Sequence, residues 1–126
     1  MGKKIIESKE APSPIGPYNQ AVLAGDTLYV SGQIPIDPET GTLLTGDIVR
    51  ETEQVMKNLG AILAAAKMDF SHVVKCSIFV KDLNDFALIN EVYGSFFSSA
   101  APARETIEVS RLPKDVQVEI SCIAVK

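Results

Sequence analysis

The sequence lacks tryptophan, contains a single histidine, and has only two cysteines among its 126 residues. A structural zinc site usually takes four Cys or His ligands, which the widely separated His72, Cys76 and Cys122 do not supply. We therefore expect no zinc site. Neither cysteine belongs to a Cys-x-x-Cys pair, and both fall on the apolar side of predicted strands. We expect buried core thiols, as is typical of a reducing compartment.

Long apolar runs and clusters of positive charge are also absent. No segment approaches the roughly 20 apolar residues that span a bilayer, so we expect no membrane association. The N-terminus has no apolar stretch like that of a signal peptide, which favours a cytoplasmic location. The net charge is −4 and Lys and Arg are scattered, which argues against a nucleic-acid partner.

The sequence does contain alternating and helical apolar patterns that suit one α+β domain over residues 1–126. They predict strands at 3–7, 20–23, 27–36 and 73–80, helices at 47–68 and 85–97, and two C-terminal strands. The expected order is β-β-β-α-β-α-β-β, a sheet of about six strands with two helices on one face. A segment with three prolines, Ala11–Pro17, predicts a stiff ordered loop that delivers Tyr18 to a fixed place.

The two C-terminal strands carry charge on one side. Arg104 and Thr106 alternate with apolar residues in the first strand, as Glu119 and Ser121 do in the second. We expect these four residues on the face that the helices leave uncovered. An antiparallel hairpin with Thr106 opposite Glu119 would make Arg104 and Glu119 diagonal neighbours about 7–8 Å apart.

Two interpretations of that charged pair remain open. One is an exposed cross-strand salt bridge, worth less than about 1 kcal/mol. The other is a small-molecule site, in which a guanidinium binds a carboxylate and Glu119 holds a water molecule. The uncovered face also contains Ile123 and Val125, and a mixed apolar and polar face predicts an oligomer interface.

Several ordered motifs resemble those of the Rid family, also called the YjgF family. They are Ala11-Pro-x-x-Ile-Gly-Pro-Tyr18, Ser31-Gly-Gln-Ile-Pro35, Val80-Lys-Asp-Leu-x-Asp-Phe86 with Asn90, Pro102-Ala-Arg104, and Glu108-Val-x-Arg-Leu-Pro-Lys-Asp-Val116 with Glu119. The resemblance covers nearly the whole chain. It implies a chorismate-mutase-like fold, with the sheets facing inward in a homotrimer and ligand sites between subunits. It also implies hydrolysis of 2-aminoacrylate and related imines to 2-keto acids and ammonia, and it implies neither a metal nor an organic cofactor.

The same resemblance implies roles for individual residues. Arg104 is expected to bind the substrate carboxylate, and Glu119 to orient the attacking water. Asn90 is expected to support the pocket. The wall of the pocket is expected to include Tyr18, Ser31 and Gly32.

The chain departs from the family at Thr106, which stands where many members have cysteine. A hydroxyl can still hydrogen-bond a ligand, so Thr106 counts as a substrate-binding candidate, whereas thiol chemistry there is excluded. Glu105 should face the other side of the strand. Two other functions stay open: a trimeric binding or regulatory protein that uses the same site without turnover, and a ribonuclease, which the acidic balance disfavours.

Overall fold

A computed structural model describes residues 2–126 as a six-stranded mixed sheet with two α-helices packed on one face. The observed order is β-β-β-α-β-α-β-β, which confirms the predicted α+β class. The elements are β1 (Lys3–Ile6), β2 (Ala21–Ala24), β3 (Thr27–Gln33), α1 (Ile48–Ala65), β4 (Val73–Val80), α2 (Phe86–Gly94), β5 (Ala103–Glu108) and β6 (Val118–Val125). The strands lie in the order β1-β2-β3-β6-β4-β5. No helix within residues 2–126 combines the length and apolar character that crossing a bilayer requires.

Helix α1 supplies most of the layer above the sheet. Its N-cap is Asp47, whose carboxylate accepts hydrogen bonds from the backbone N–H groups of Val49 and Arg50 at 3.0 and 3.3 Å. The chain leaves the helix before the predicted end at residue 68, since Lys67 adopts a left-handed φ of 60°. Burial of a large aliphatic side chain contributes about 1.5–3 kcal/mol. The helix buries a full stripe of such residues: Val55, Met56, Leu59, Ile62 and Leu63.

Helix α2 is shorter than its predicted range of 85–97. It begins at Phe86, directly after a capped 3-10 turn, and ends at Gly94. Phe96 and Phe97 lie beyond its end but still pack on Phe70, with ring centroids 5.4 and 5.5 Å away. Phe86, the first residue of the helix, is 40% exposed.

The predicted hairpin between the last two strands is wrong. β4 lies between β5 and β6, parallel to β5 and antiparallel to β6. A parallel pair needs a crossover connection, which α2 provides between β4 and β5. Consecutive strands are neighbours only about two-thirds of the time, and these two are an exception.

The correct register also moves Arg104 and Thr106 to the helix-covered face. Arg104 lies opposite Cys76, which in turn lies opposite Cys122, so the three share one face. Both cysteines are buried, which confirms the predicted core thiols. Burial raises the pKa of both thiols, that of Cys122 to about 12.

The opposite face of the sheet, which we call the open face, is covered by no helix of residues 2–126. Glu119 and Ser121 lie there, as predicted, because they stand opposite Phe79 and Ser77 of β4. Glu105 also lies there, where it pairs with Lys75 Nζ at 2.9 Å and accepts a hydrogen bond from Ser77. Apolar side chains surround these polar ones and are partly or largely exposed: Ile5, Val22, Tyr29, Phe79, Ile107, Ile123 and Val125.

Candidate functional site

The first half of the candidate site is formed by Arg104, at the β5 edge of the sheet, with the helix α2 beside it. Asn90 Oδ1 accepts a hydrogen bond from Arg104 Nη1 at 2.7 Å. The guanidinium carbon lies 5.0 Å from the ring centroid of Tyr93 and 5.5 Å from that of Phe86, within the range of cation–π attraction. Arg104 is half-buried, and it takes part in no ion pair within residues 2–126. It is thus a cation held in place by neutral groups.

Thr106 lies two residues further along β5, on the same face as Arg104. It stands opposite the buried Ile78, and its hydroxyl oxygen is shielded from solvent with no hydrogen-bond partner among the described residues. A buried hydroxyl without a partner usually costs about 1–3 kcal/mol. The structure therefore places Thr106 beside the Arg104 half of the site, and its contact with a ligand stays a prediction.

The second half of the site is Glu119 on the open face. Its carboxylate lies against Gly32 of β3: a Cβ atom built on Gly32 would stand 2.9 Å from Glu119 Cδ and closer still to Oε2. Glycine is therefore the residue that fits there. Glu119 has no hydrogen-bond or ion-pair partner within residues 2–126, and burial raises the pKa of its carboxyl group above the ordinary value. A carboxylate of this kind can accept a proton from water.

Tyr18 and Ser31 border this second half. The register between β3 and β6 shifts between Val30 and Gln33, so Ser31 and Gly32 lie at a β-bulge, a common device for redirecting side chains. Ser31 Oγ donates to the carbonyl of Asn19 at 2.6 Å and so ties down the residue next to Tyr18. Tyr18 is 47% exposed and lines a small cleft together with Gly32.

Gln20 organises the proline-rich loop and was missed by the sequence analysis. It is buried, and its Nε2 donates to the carbonyls of Ser8 and Pro12 at 3.1 and 2.8 Å. Its Oε1 accepts from the Ser8 N–H at 2.6 Å. The loop is therefore ordered by a buried amide as well as by its prolines. The signal in the sequence was an amide at the apolar start of a strand, where it needs partners.

The two halves do not meet within one chain. Arg104 and Glu119 lie on opposite faces of the sheet. Their strands are separated by β4, in which Arg104 stands opposite Cys76 and Glu119 stands opposite Phe79, three residues further along. With strands about 4.8 Å apart and residues about 3.3 Å apart, their Cα atoms are roughly 14 Å apart in the sheet plane. The register therefore excludes the cross-strand salt bridge, one of the two interpretations that the sequence left open. It also excludes a ligand shared by Arg104 and Glu119 within a single chain.

The comparisons with known proteins give a family. The family model described as Endoribonuclease L-PSP matches residues 8–126. A mouse protein named 2-iminobutanoate/2-iminopropanoate deaminase is 46% identical, with 98% of this chain and 92% of the relative covered. A Yersinia pestis structure described as YyfA of the conserved Rid protein family is 46% identical, covers 99% and 100% of the two chains, and has a TM-score of 0.97.

A third comparison adds a ligand. The crystal structure of Escherichia coli TdcF with bound serine is 44% identical, covers 98% of each chain, and has a TM-score of 0.94. Family model, curated relative and solved structures all agree over nearly the full length. The chain belongs to the Rid (YjgF) family.

Proposed function

We propose that this chain hydrolyses 2-imino acids and their enamine tautomers, such as those from 2-aminoacrylate, to 2-keto acids and ammonia, as a homotrimer. The observation that carries this proposal is the separation of Arg104 from Glu119. Each is a charged group without an ion-pair partner in residues 2–126 and suits one part of the reaction. They can reach one small ligand only if they come from two chains. A site between subunits meets that condition.

The open face supports assembly. Tyr29, Ile107, Ile5 and Val125 are 52%, 46%, 40% and 37% exposed in the single chain. An exposed apolar surface of this kind, with a polar centre, is typical of an oligomer interface. Packing of the open faces against one another would bury these side chains and bring Glu119 of one chain toward the β5 edge of the next.

In the proposed mechanism, Arg104 binds the carboxylate of the substrate and holds the imine carbon near Glu119. Glu119 accepts a proton from a water molecule while the oxygen of that water forms a bond to the imine carbon. The product of this step is a carbinolamine. Glu119 then donates that proton to the nitrogen, and the carbon–nitrogen bond breaks as the hydroxyl group gives its own proton back to Glu119 and becomes the carbonyl of the 2-keto acid. Ammonia leaves. A protonated imine is already electrophilic, so positioning and proton transfer are the main demands on the protein.

A coupled assay tests this proposal. A serine dehydratase generates 2-aminoacrylate in the presence of the purified protein, and pyruvate and ammonia are followed over time. We expect release faster than the spontaneous rate and a trimeric mass by light scattering. A monomer in solution would contradict the two-chain site, and an unchanged rate of release would contradict the deaminase.

The second candidate is a protein that binds small amino or keto acids without turnover. The serine bound to the related TdcF favours it. Binding of 2-oxobutanoate or serine with no acceleration of imine hydrolysis would favour this candidate over the deaminase.

A ribonuclease has less support. His72 Nδ1 accepts a hydrogen bond from the Asp69 N–H at 3.0 Å as part of a helix cap, so the only histidine of the chain already has a structural role.

A further inference from the structure

Three residues on one side of α2 contact the same guanidinium group. Phe86, Asn90 and Tyr93 are spaced at i, i+4 and i+7, which places them on one helical face. All three lie against Arg104, through the two cation–π contacts and the hydrogen bond described above. We call these three residues the α2 cradle.

The cradle occupies one nitrogen of the guanidinium and leaves the others available. Nη1 donates to Asn90, whereas Nε and Nη2 have no hydrogen-bond partner within residues 2–126. Those two nitrogens form the edge that matches a carboxylate with two parallel hydrogen bonds. Arg111 uses the same edge in this chain, where Nε and Nη2 donate to the two carboxylate oxygens of Asp115 at 2.7 and 3.3 Å.

The chemical nature of residue 90 is central to this arrangement. An aspartate there would form an ion pair with Arg104 and would compete with any anionic ligand. An amide oxygen orients the guanidinium but leaves its full positive charge for the ligand. The rings of Phe86 and Tyr93 add attraction without adding negative charge, and they remove water from around the cation.

Resting on the proposed function, we propose that the α2 cradle is a positioning device that turns the Nε–Nη2 edge of Arg104 toward the substrate carboxylate. Asn90 is then a positioning residue that acts through Arg104. The cradle selects ligands with a planar carboxylate, since two parallel hydrogen bonds fit that group and not a single-point acceptor.

The test uses the whole protein and the keto acid 2-oxobutanoate, a stable ligand that needs no turnover. Asn90→Asp should weaken its binding by at least about tenfold, because the new carboxylate neutralises Arg104. Asn90→Ala should weaken it by roughly threefold, since the charge stays but its orientation is lost. The control is Asn84→Asp, which adds the same charge at an exposed position and should stay within about twofold of the wild type.

Two further readouts separate positioning from folding. Asn90→Asp should keep the thermal midpoint of the wild type or raise it, although it binds less well. Rotation of the Arg104 guanidinium, followed by nitrogen NMR at Nε, should be slower than that of the exposed Arg50 and should become faster in Asn90→Ala.

The outcomes distinguish the two proposals. Binding by Asn90→Asp within twofold of the wild type, or free rotation of Arg104 in the wild type, would overturn the positioning role. A wild type that binds 2-oxobutanoate but does not accelerate imine hydrolysis would overturn the deaminase alone. A wild type that accelerates imine hydrolysis but binds no keto acid would overturn the positioning role alone, and a wild type that does neither would overturn both.

Discussion

The two halves of the candidate site differ in how their charged groups are held. Arg104 has three neighbours on α2 that fix its guanidinium, whereas Glu119 has no polar partner within residues 2–126 and rests against a glycine. A cation that binds a carboxylate gains from being fixed in advance, because less entropy is lost on binding. A proton acceptor instead gains from an unsatisfied, partly desolvated carboxylate, because its pKa then lies closer to neutral pH. The contrast fits the proposed roles, with substrate binding in one half and proton transfer in the other.

Removal of the guanidinium should give the largest effect. Arg104→Ala should lower kcat/KM for imine hydrolysis by about 100-fold or more, since the ligand loses its charged partner. Arg104→Lys should restore little, because an ammonium group offers no planar edge. The matched control is Arg111→Ala, which removes an exposed arginine and should keep nearly full activity. An Arg104→Ala protein with wild-type kcat/KM would show that another residue binds the carboxylate.

Replacement of the proposed base should act on kcat more than on KM. Glu119→Gln keeps the shape of the side chain but cannot accept a proton, and general-base catalysis typically contributes about 100-fold or more. Glu53→Gln, at an exposed position on α1, is the control. If Arg104→Ala and Glu119→Gln lowered kcat/KM equally, and in both only through a higher KM, the distinction between the two halves would be lost.

The pH profile tests the same group without changing its position. Burial raises the pKa of Glu119, and in the proposed mechanism the form that accepts the proton is the carboxylate. Activity should therefore fall as the pH decreases through a midpoint above the ordinary 4.5 of a glutamate, and this acid limb should be absent in Glu119→Gln. An acid limb that persists in the variant would assign the titration to another group.

Gly32→Ala should give a smaller loss by moving the base. The new methyl group would overlap the end of the Glu119 side chain, which can turn away at little cost in folding free energy. We expect kcat to fall about tenfold, as for a misplaced catalytic group, with a change in unfolding free energy below about 1 kcal/mol. Gly94→Ala is the control, since a Cβ atom there meets nothing within 4 Å. Unchanged activity in Gly32→Ala would show that the position of Glu119 is not critical.

The sequence predicted local structure well and long-range pairing poorly. The bounds of β4 were predicted correctly because eight mostly apolar residues have no competing interpretation. The predicted sheet face of Arg104 was wrong. Alternation shows which residues of a strand share a side, but it does not show which strand lies next to it. The chain order suggested a hairpin, and only the position of β4 between β5 and β6 shows otherwise.

The same limit applies to the site. The motifs and the charges singled out Arg104 and Glu119, but no pattern could show that one contacts α2 and the other Gly32. The roles of Asn90 and Gln20 depend on where an amide group points. That direction is set by packing between segments distant in sequence, and one sequence does not record it.

Glu51 can be compared with Glu119, because it is a second carboxyl group whose pKa is raised by burial. Its replacement should give the smallest effect of the variants considered. Glu51 is 1% exposed, in the first turn of α1, and its Oε2 has no hydrogen-bond partner among residues 2–126. Burial raises its pKa above the ordinary 4.5. The folded state therefore binds more protons than the unfolded state between pH 4.5 and the folded pKa, and the free energy of unfolding should fall as the pH rises through that window.

Glu51→Gln should remove this dependence and stabilise the fold at pH 7 by about 1 kcal/mol, since no buried charge remains. Urea unfolding from pH 4 to 8 at fixed protein concentration measures the effect, and the gap between the two proteins should open as the pH rises. Imine hydrolysis should stay within about twofold of the wild type, because Glu51 belongs to neither half of the site. A loss of activity as large as that in Glu119→Gln would contradict this and would mean that Glu51 also takes part in the reaction.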